Sequence, residues 1–328
     1  MAVVAFAHGG GPGTGWYRVD QPARWLSAHG VECRVLHPRN EVDRGVLQGV
    51  TTFVLQRATS LGAMKAVAHL RDRGVRVVYE IDDDLWRLPS WNPARAQYTP
   101  EVLGHIENVM RQCNAVTVST ESLGARVEGL GCDDVFVIPN GVPLDLVPPR
   151  AMRTRPGVRV GWFGTRTHQG DLALVIPALQ RLVKEWAHVT LVLMGDTLPG
   201  LWPVGRVETY QGVHPTGYYG ALQKLELDIV LAPLVDNDFN RAKSPVKALE
   251  AGAIGAAIAA SNVGPYRQHL EHGHTALLAN TGEDWESNLF TMVDDIALRE
   301  SLATAARQWV EQKGSMESTG PIWRAVLA

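Results

Sequence analysis

A chain of 328 residues is long enough for two domains of ordinary size, and 45% apolar with 20% charged residues are values of a globular protein. The net charge of −3, with acidic residues slightly outnumbering basic ones over the first 145, lacks the overall positive charge of a nucleic-acid or anionic-membrane binder. No apolar run approaches the roughly 20 residues of a membrane span, and three scattered cysteines (Cys33, Cys113, Cys132) match neither a disulfide framework nor a zinc site.

The opening residues MAVVAFAHGGG lack the basic segment and long apolar core of a signal peptide, so the expectation is a cytoplasmic chain without a stable membrane anchor. Val3 to Ala7 reads as a first strand leading into HGGGPGTGW. This run fails the GxGxxG spacing: with Gly11 and Gly13 as the first pair, the third position is Trp16, and the acidic Glu32 starts the second strand instead of ending it. A plain glycine-rich turn and a ligand-facing loop both remain open. Tyr17 to Ala28 reads as an amphipathic helix, Glu32 to Leu36 and Thr52 to Gln56 as strands, Leu61 to Arg73 as a helix and Val75 to Ile81 as the fourth strand. The alternation predicts βαβ units and a parallel sheet.

The fourth strand runs into Asp82-Asp83-Asp84-Leu85-Trp86. Ligands of open parallel sheets gather at the carboxyl ends of strands. Three readings compete: acceptor-binding or catalytic acids, a metal pair Asp82-x-Asp84, or a capped turn facing water. Pro89 to Tyr98 is an aromatic loop that could cover a cleft mouth. Two more strand and helix units lead to IPNGV at 138–142, a turn signal. Pro148, Pro149 and Pro156 flank a basic linker, which sets the expected domain boundary.

Val158 to Phe163 opens a second domain, followed by Gly164-Thr165-Arg166-Thr167-His168; Asp171 is expected to cap the helix that runs to Glu185. Val189 to Met194 is a strand. The central stretch is DIVLAPLVDNDFNRAKSPVKALEAGAIGAAIAAS at 228–261. Its short apolar run is a buried strand, and Ser244 with Pro245 reads as the start of a helix. Lys243 sits just before that helix, and Lys247 and Glu250 lie three apart on one face. A helix N-terminus beside lysines is suited to phosphate, and a carboxylate further along suits a sugar diol, since it accepts from both hydroxyls. The tail ESTGPIWRAVLA carries Trp323 among apolar neighbours that need a partner.

The pattern FNxxKSxxKxxE, followed by small residues, a strand and Ser261, resembles the nucleotide-sugar loop of glycosyltransferase family 4, and IPNGV resembles that family's domain junction. The resemblance implies the α/β GT-B fold: two Rossmann-like domains facing a central cleft, with the C-terminal helix crossing back to the N-domain. It implies domains at 1–148 (acceptor side) and 149–310 (donor side), with 311–328 as the returning helix. By the same resemblance Glu250 holds the nucleotide ribose. Arg166, Lys243, Ser244 and Lys247 serve the diphosphate, and a glycine loop at Gly11 and Gly13 faces the donor phosphates. The second glutamate of the family is replaced by Ala242, and the clamp lysine by Gln169 and Gly170. His168 is an added polar group; with Asp82 and Asp84 it completes the catalytic candidates.

The expected activity is transfer of a sugar from a nucleotide-diphosphate sugar, without metal or cofactor, and with the retention that the family implies. The acceptor is open: a glycan, a protein or a small molecule fits the composition better than a lipid or nucleic acid. Two alternatives stand beside it, a binding protein on this fold that has lost transfer, motivated by Ala242, and a nucleotide-sugar epimerase.

Overall fold

The computed structural model describes residues 2–37, 47–150, 154–196 and 206–328. The first sheet contains β1 (Val3–Ala7), β2 (Glu32–Leu36), β3 (Thr52–Gln56), β4 (Arg76–Ile81), β5 (Ala115–Val118) and β6 (Val135–Val137) in the order β2-β1-β3-β4-β5-β6. The second contains β7 (Val158–Gly164), β8 (Val189–Gly195), β9 (Val207–Tyr210), β10 (Ile229–Ala232), β11 (Ala257–Ser261) and β12 (Leu277–Ala279) in the order β12-β11-β10-β7-β8-β9. Every pairing is parallel. The central strands are buried along almost their whole length, as sheets covered on both faces require. The α/β, two-Rossmann-domain class expected from the sequence is the one observed.

Strand order locates the places where a ligand fits. In the second sheet the chain winds outward in both directions from β7 and β10, and the crevice at such a reversal lies beyond the carboxyl ends of those two strands. These ends are Gly164 to His168 and the segment leading to Lys243. In the first sheet the reversal lies between β1 and β3, whose ends lead to His8 and Arg57.

Several local expectations differ. Tyr17 begins within a π-turn, Trp16–Asp20, before the helix Gln21–Ala28. The strand Val207–Tyr210 was not read from the sequence; four residues without a clear alternation give too little signal. After β10 the chain enters the helical turn Asp238–Arg241, capped by Asn237, which was not read from the sequence. Part of the basic linker, residues 151–153, lies outside the described residues.

The final helix, Met316–Leu327, leaves the second domain and packs on the first. Trp323 is 1% exposed, packed among Phe6, Trp25 and Leu26, with the Arg18 guanidinium 4.7 Å from its ring centroid. The Thr52 hydroxyl donates to the Leu327 carbonyl at 3.0 Å. At the crossing point Val142 pairs with the returning chain: its N–H donates to Gly314 O, and Met316 N–H donates to Val142 O. Gly141 is required beside this bridge, because a Cβ there would lie 2.8 Å from the Ser315 carbonyl oxygen. Residues 236–242 make a second contact between domains. Phe239 inserts into the first domain's core, Thr120 Oγ1 donates to Ala242 O at 2.7 Å, and Arg87 meets Asp238 at 3.2 Å. Ala242, where the resembled family carries glutamate, therefore packs against the N-domain.

Candidate active site

The carboxyl ends of β7 and β10 and the helix Val246–Ala253 meet the end of β4 across a cleft. Asp82, Asp83 and Asn140 line it from the first domain; His168, Lys243, Ser244, Lys247, Glu250 and Tyr266 line it from the second. The enclosed space is about 150 Å³, below the roughly 300–1,000 Å³ of sites that enclose a small-molecule ligand. A nucleotide sugar would need the two domains to part.

The cation side is built from two lysines of different character. Lys243 Nζ lies 4.5 Å from the Phe239 ring centroid and 3.6 Å from Asp83 across the cleft. Lys247 donates to the Phe163 carbonyl and lies over the Phe163 and Trp162 rings. Burial draws its ammonium down to about 8, with Lys243 adding to the effect and Glu250 opposing it. Ser244 does not cap the helix as expected. Pro245 occupies the N-cap, and the buried Ser244 hydroxyl has no hydrogen-bond partner among the described residues. An unpaired buried hydroxyl at the edge of a cleft lined by two lysines is a ready contact for an anion oxygen.

His168 is held by a residue with a role other than the one expected. Asp171 is not the cap of Ile176–Glu185; it lies in the short helix Gln169–Leu172 and is 2% exposed. Its Oδ1 accepts from Val235 N–H at 2.9 Å and from Asn240 Nδ2 at 2.7 Å, while Oδ2 sits 2.9 Å from His168 Nδ1. That contact occupies Nδ1 and leaves Nε2 available. Burial pushes the imidazole below its usual range, against the pull of Asp171, and the two lysines push further in the same direction.

Glu250 is 5% exposed and accepts from the Tyr17 hydroxyl of the first domain at 2.7 Å; Tyr17 also bonds to Tyr219 at 2.9 Å. Burial raises the Glu250 carboxyl, and Lys247 opposes the rise. The carboxylate expected to serve a diol is thus already used by a bond between domains.

The three acids separate. Arg57, which the sequence reading did not single out, follows β3 with φ +43° in the left-handed region, a strained conformation for arginine. It donates from Nε to Asp82 at 2.6 Å and from Nη2 to Asp83 at 2.7 Å. Burial raises Asp82 against the pull of Arg57. Burial also pushes Asp83 up, but Lys243 and Arg57 outweigh it and hold the carboxyl at about 2. Asp84, expected as a catalytic acid, does not line the cleft. It is 1% exposed, with Arg87 at 3.7 Å and Arg126 at 3.9 Å. Successive extended residues project to opposite sides, so Asp82 and Asp84 should have shared a side; the chain turns into the helical turn Leu85–Arg87 and sends Asp84 elsewhere. The two carboxylates thus sit on different arginines. Asp83 is the acid that reaches the lysines, 3.6 Å from Lys243.

Arg166 is exposed and contributes to its loop through its backbone N–H, which donates to Asp196 at 2.6 Å; its side chain does not line the cleft. Gly11 and Gly13 do not line it either: Gly11 caps and Gly13 lies within a helical turn, Pro12–Gly15, both in open space. Close packing against backbone in this loop instead requires Gly9, where a Cβ would lie 1.8 Å from the Gln56 carbonyl oxygen. The aromatic loop reaches across the cleft, with Trp91 packed on Gly170, two residues from His168.

Residues 157–295 match the family model described as Glycosyl transferases group 1. The chain is 24% identical over 213 residues to glycogen synthase from Mycobacterium tuberculosis, covering 61% of this chain and 50% of that protein. It therefore spans about half the length of the curated relatives it matches. Its fold is similar to sucrose-phosphate synthase from Thermosynechococcus elongatus, with TM-score 0.71, 15% identity and coverage of 99% and 98% of the two chains. It is also similar to Anabaena HepE in complex with UDP and glucose, with TM-score 0.70, 16% identity and coverage of 100% and 99%. These neighbours establish the GT-B fold.

Proposed function

We propose, for a chain that carries a Glycosyl transferases group 1 domain over residues 157–295, that it transfers a sugar from a nucleotide-diphosphate donor to an acceptor held by the first domain. The observation that carries this reading is the convergence of Lys243, Lys247, His168 and the unpaired Ser244 hydroxyl at the switch point of the second sheet. The similar Anabaena protein is described with UDP and glucose, which favours a uridine nucleotide as the first donor to try.

In this reading residues 149–310 take the donor, residues 1–148 the acceptor and 311–328 tie the two together. The diphosphate leaving group gains charge in the transition state, and Lys243 and Lys247 stabilise that charge in a site shielded from water. His168, oriented by Asp171, contributes its Nε2 to the donor. Glu250 exchanges the Tyr17 hydroxyl for the ribose diol. Lys243 exchanges Asp83 for phosphate, so donor binding and domain opening are coupled. Asp82, held by Arg57, serves the acceptor side. Family 4-like retention of configuration, independence from metal and cofactor, and a cytoplasmic setting belong to the same proposal. Among the described residues no helix is long and apolar enough to cross a membrane.

The test is a thermal-stability screen of nucleotide sugars on purified protein, followed by product analysis with and without acceptor. A ligand at 100 times its dissociation constant adds about 2.7 kcal/mol. Stabilisation by a nucleotide sugar with release of the nucleoside diphosphate supports the reading. No stabilisation by any nucleotide sugar refutes it, and an epimerised donor without transfer replaces it.

A further inference from the structure

The carboxyl ends of β1 and β2 carry a second cluster, outside the cleft. The parallel register sets Ala7 opposite Leu36, so the residues that follow, His8 and His37, emerge side by side. Their rings stack with centroids 4.4 Å apart at 26°. Asp20, at the end of the π-turn Trp16–Asp20, brings Oδ1 to 2.9 Å from His8 Nε2. His8 is firmly seated. Its side chain is 9% exposed, and a Cβ on Gly15 would lie 2.3 Å from its Nδ1, so glycine there makes room for the ring. One donor atom from each of His8, Asp20 and His37 lies within 4.8 Å of the others.

We propose that His8, Asp20 and His37 bind a divalent transition-metal ion. Two imidazoles and one carboxylate are a donor set for zinc and its neighbours in the first row, and not for calcium or magnesium, which take oxygen ligands. Bonds of about 2.0–2.2 Å put tetrahedral ligand atoms roughly 3.3–3.5 Å apart. The exposed His37 has the freedom to close the remaining distance by rotation about its side-chain bonds. The metal takes the Nε2 lone pair of His8 in place of the hydrogen bond to Asp20. Three protein ligands leave a position for water. The ion would clip β1 and β2 to the turn that carries Tyr17 and Arg18.

The experiment uses the full chain without a histidine tag, stripped with chelator and titrated with Co2+ and then Zn2+. One equivalent of Co2+ with visible d–d absorption, displaced by Zn2+, is expected. Zn2+ should also raise the melting temperature. His37→Ala removes an exposed ligand and should fold normally. It should weaken binding by more than the roughly 10–100-fold that loss of an outer partner costs. Asp20→Asn should weaken it as well. Absence of stoichiometric binding by the wild type, or a His37→Ala variant that binds as tightly as wild type, overturns the proposal and leaves a stacked, hydrogen-bonded pair.

Discussion

Tyr17 of the first domain donates its hydroxyl to Glu250 of the second at 2.7 Å, across 233 positions of sequence. The bond joins the domains through the carboxylate assigned to the ribose, so ligand and domain contact draw on one group. Glu250→Ala should weaken nucleotide binding by about 1.5–3 kcal/mol, the range for a hydrogen bond to a charged group, or roughly 10- to 150-fold. Tyr17→Phe should strengthen it by roughly 2- to 10-fold, because one competing bond is gone. Calorimetric titration with a nucleoside diphosphate checks both. Glu250→Ala binding like wild type would remove the ribose assignment.

Asp83 and Lys243 form the equivalent contact on the phosphate side. Asp83→Asn removes a negative charge that competes with the diphosphate, and nucleoside-diphosphate affinity should rise several-fold at low salt, less at high salt. Weaker binding would mean that Asp83 holds Lys243 in place for the donor. The carboxyl is depressed to about 2, below its ordinary value near 3.8. Its contribution to stability is therefore present above about pH 4 and lost as pH falls towards 2. Chemical denaturation of wild type and Asp83→Asn across that window should converge at the acid end.

Lys247 carries the alkaline signature. Its ammonium is drawn down to about 8 in the free protein, and an arriving diphosphate favours the charged form. Affinity should be flat below pH 7 and decline towards tenfold per pH unit above pH 8. Lys247→Arg should move this decline out of the accessible range, since guanidinium keeps its proton. A pH-independent dissociation constant in the wild type would argue against contact between Lys247 and the diphosphate.

Turnover should survive excess EDTA, because Asp82 and Asp84 are engaged by separate arginines and Lys243 and Lys247 supply the cations for the diphosphate. Loss of turnover restored by manganese or magnesium would reverse this. A fall in melting temperature with turnover intact is the result expected if the His8 cluster holds an ion.

Trp323→Ala should destabilise the protein by about 3–5 kcal/mol, the cost of emptying a buried aromatic site. Since Trp323 packs among Phe6, Trp25 and Leu26 of the first domain, loss of structure should appear first there. Urea unfolding followed by the protection of β1 amides would show it; a loss confined to the second domain would contradict the packing.

The return of the tail to the first domain was implied by the family resemblance; the sequence by itself determined most of the strands and helices and the tail's need for an apolar partner. These rest on hydrophobic periodicity and on glycine and proline punctuation, which act over a few residues. It also brought Lys243, Ser244, Lys247 and Glu250 into view, because one loop and one helix carry them all. Only the tertiary structure decided what each of these groups faces. Arg57 had no motif to announce it, and its claim on Asp82 and Asp83 exists because β3 and β4 are neighbours. Asp171 passed for a helix cap until β10 brought Val235 and Asn240 to its carboxylate. Asp84 was parted from Asp82 by a single helical turn. The charge and hydrogen-bonding state of a side chain is set by whatever the fold brings within a few ångströms, and most of those partners lie far away along the chain.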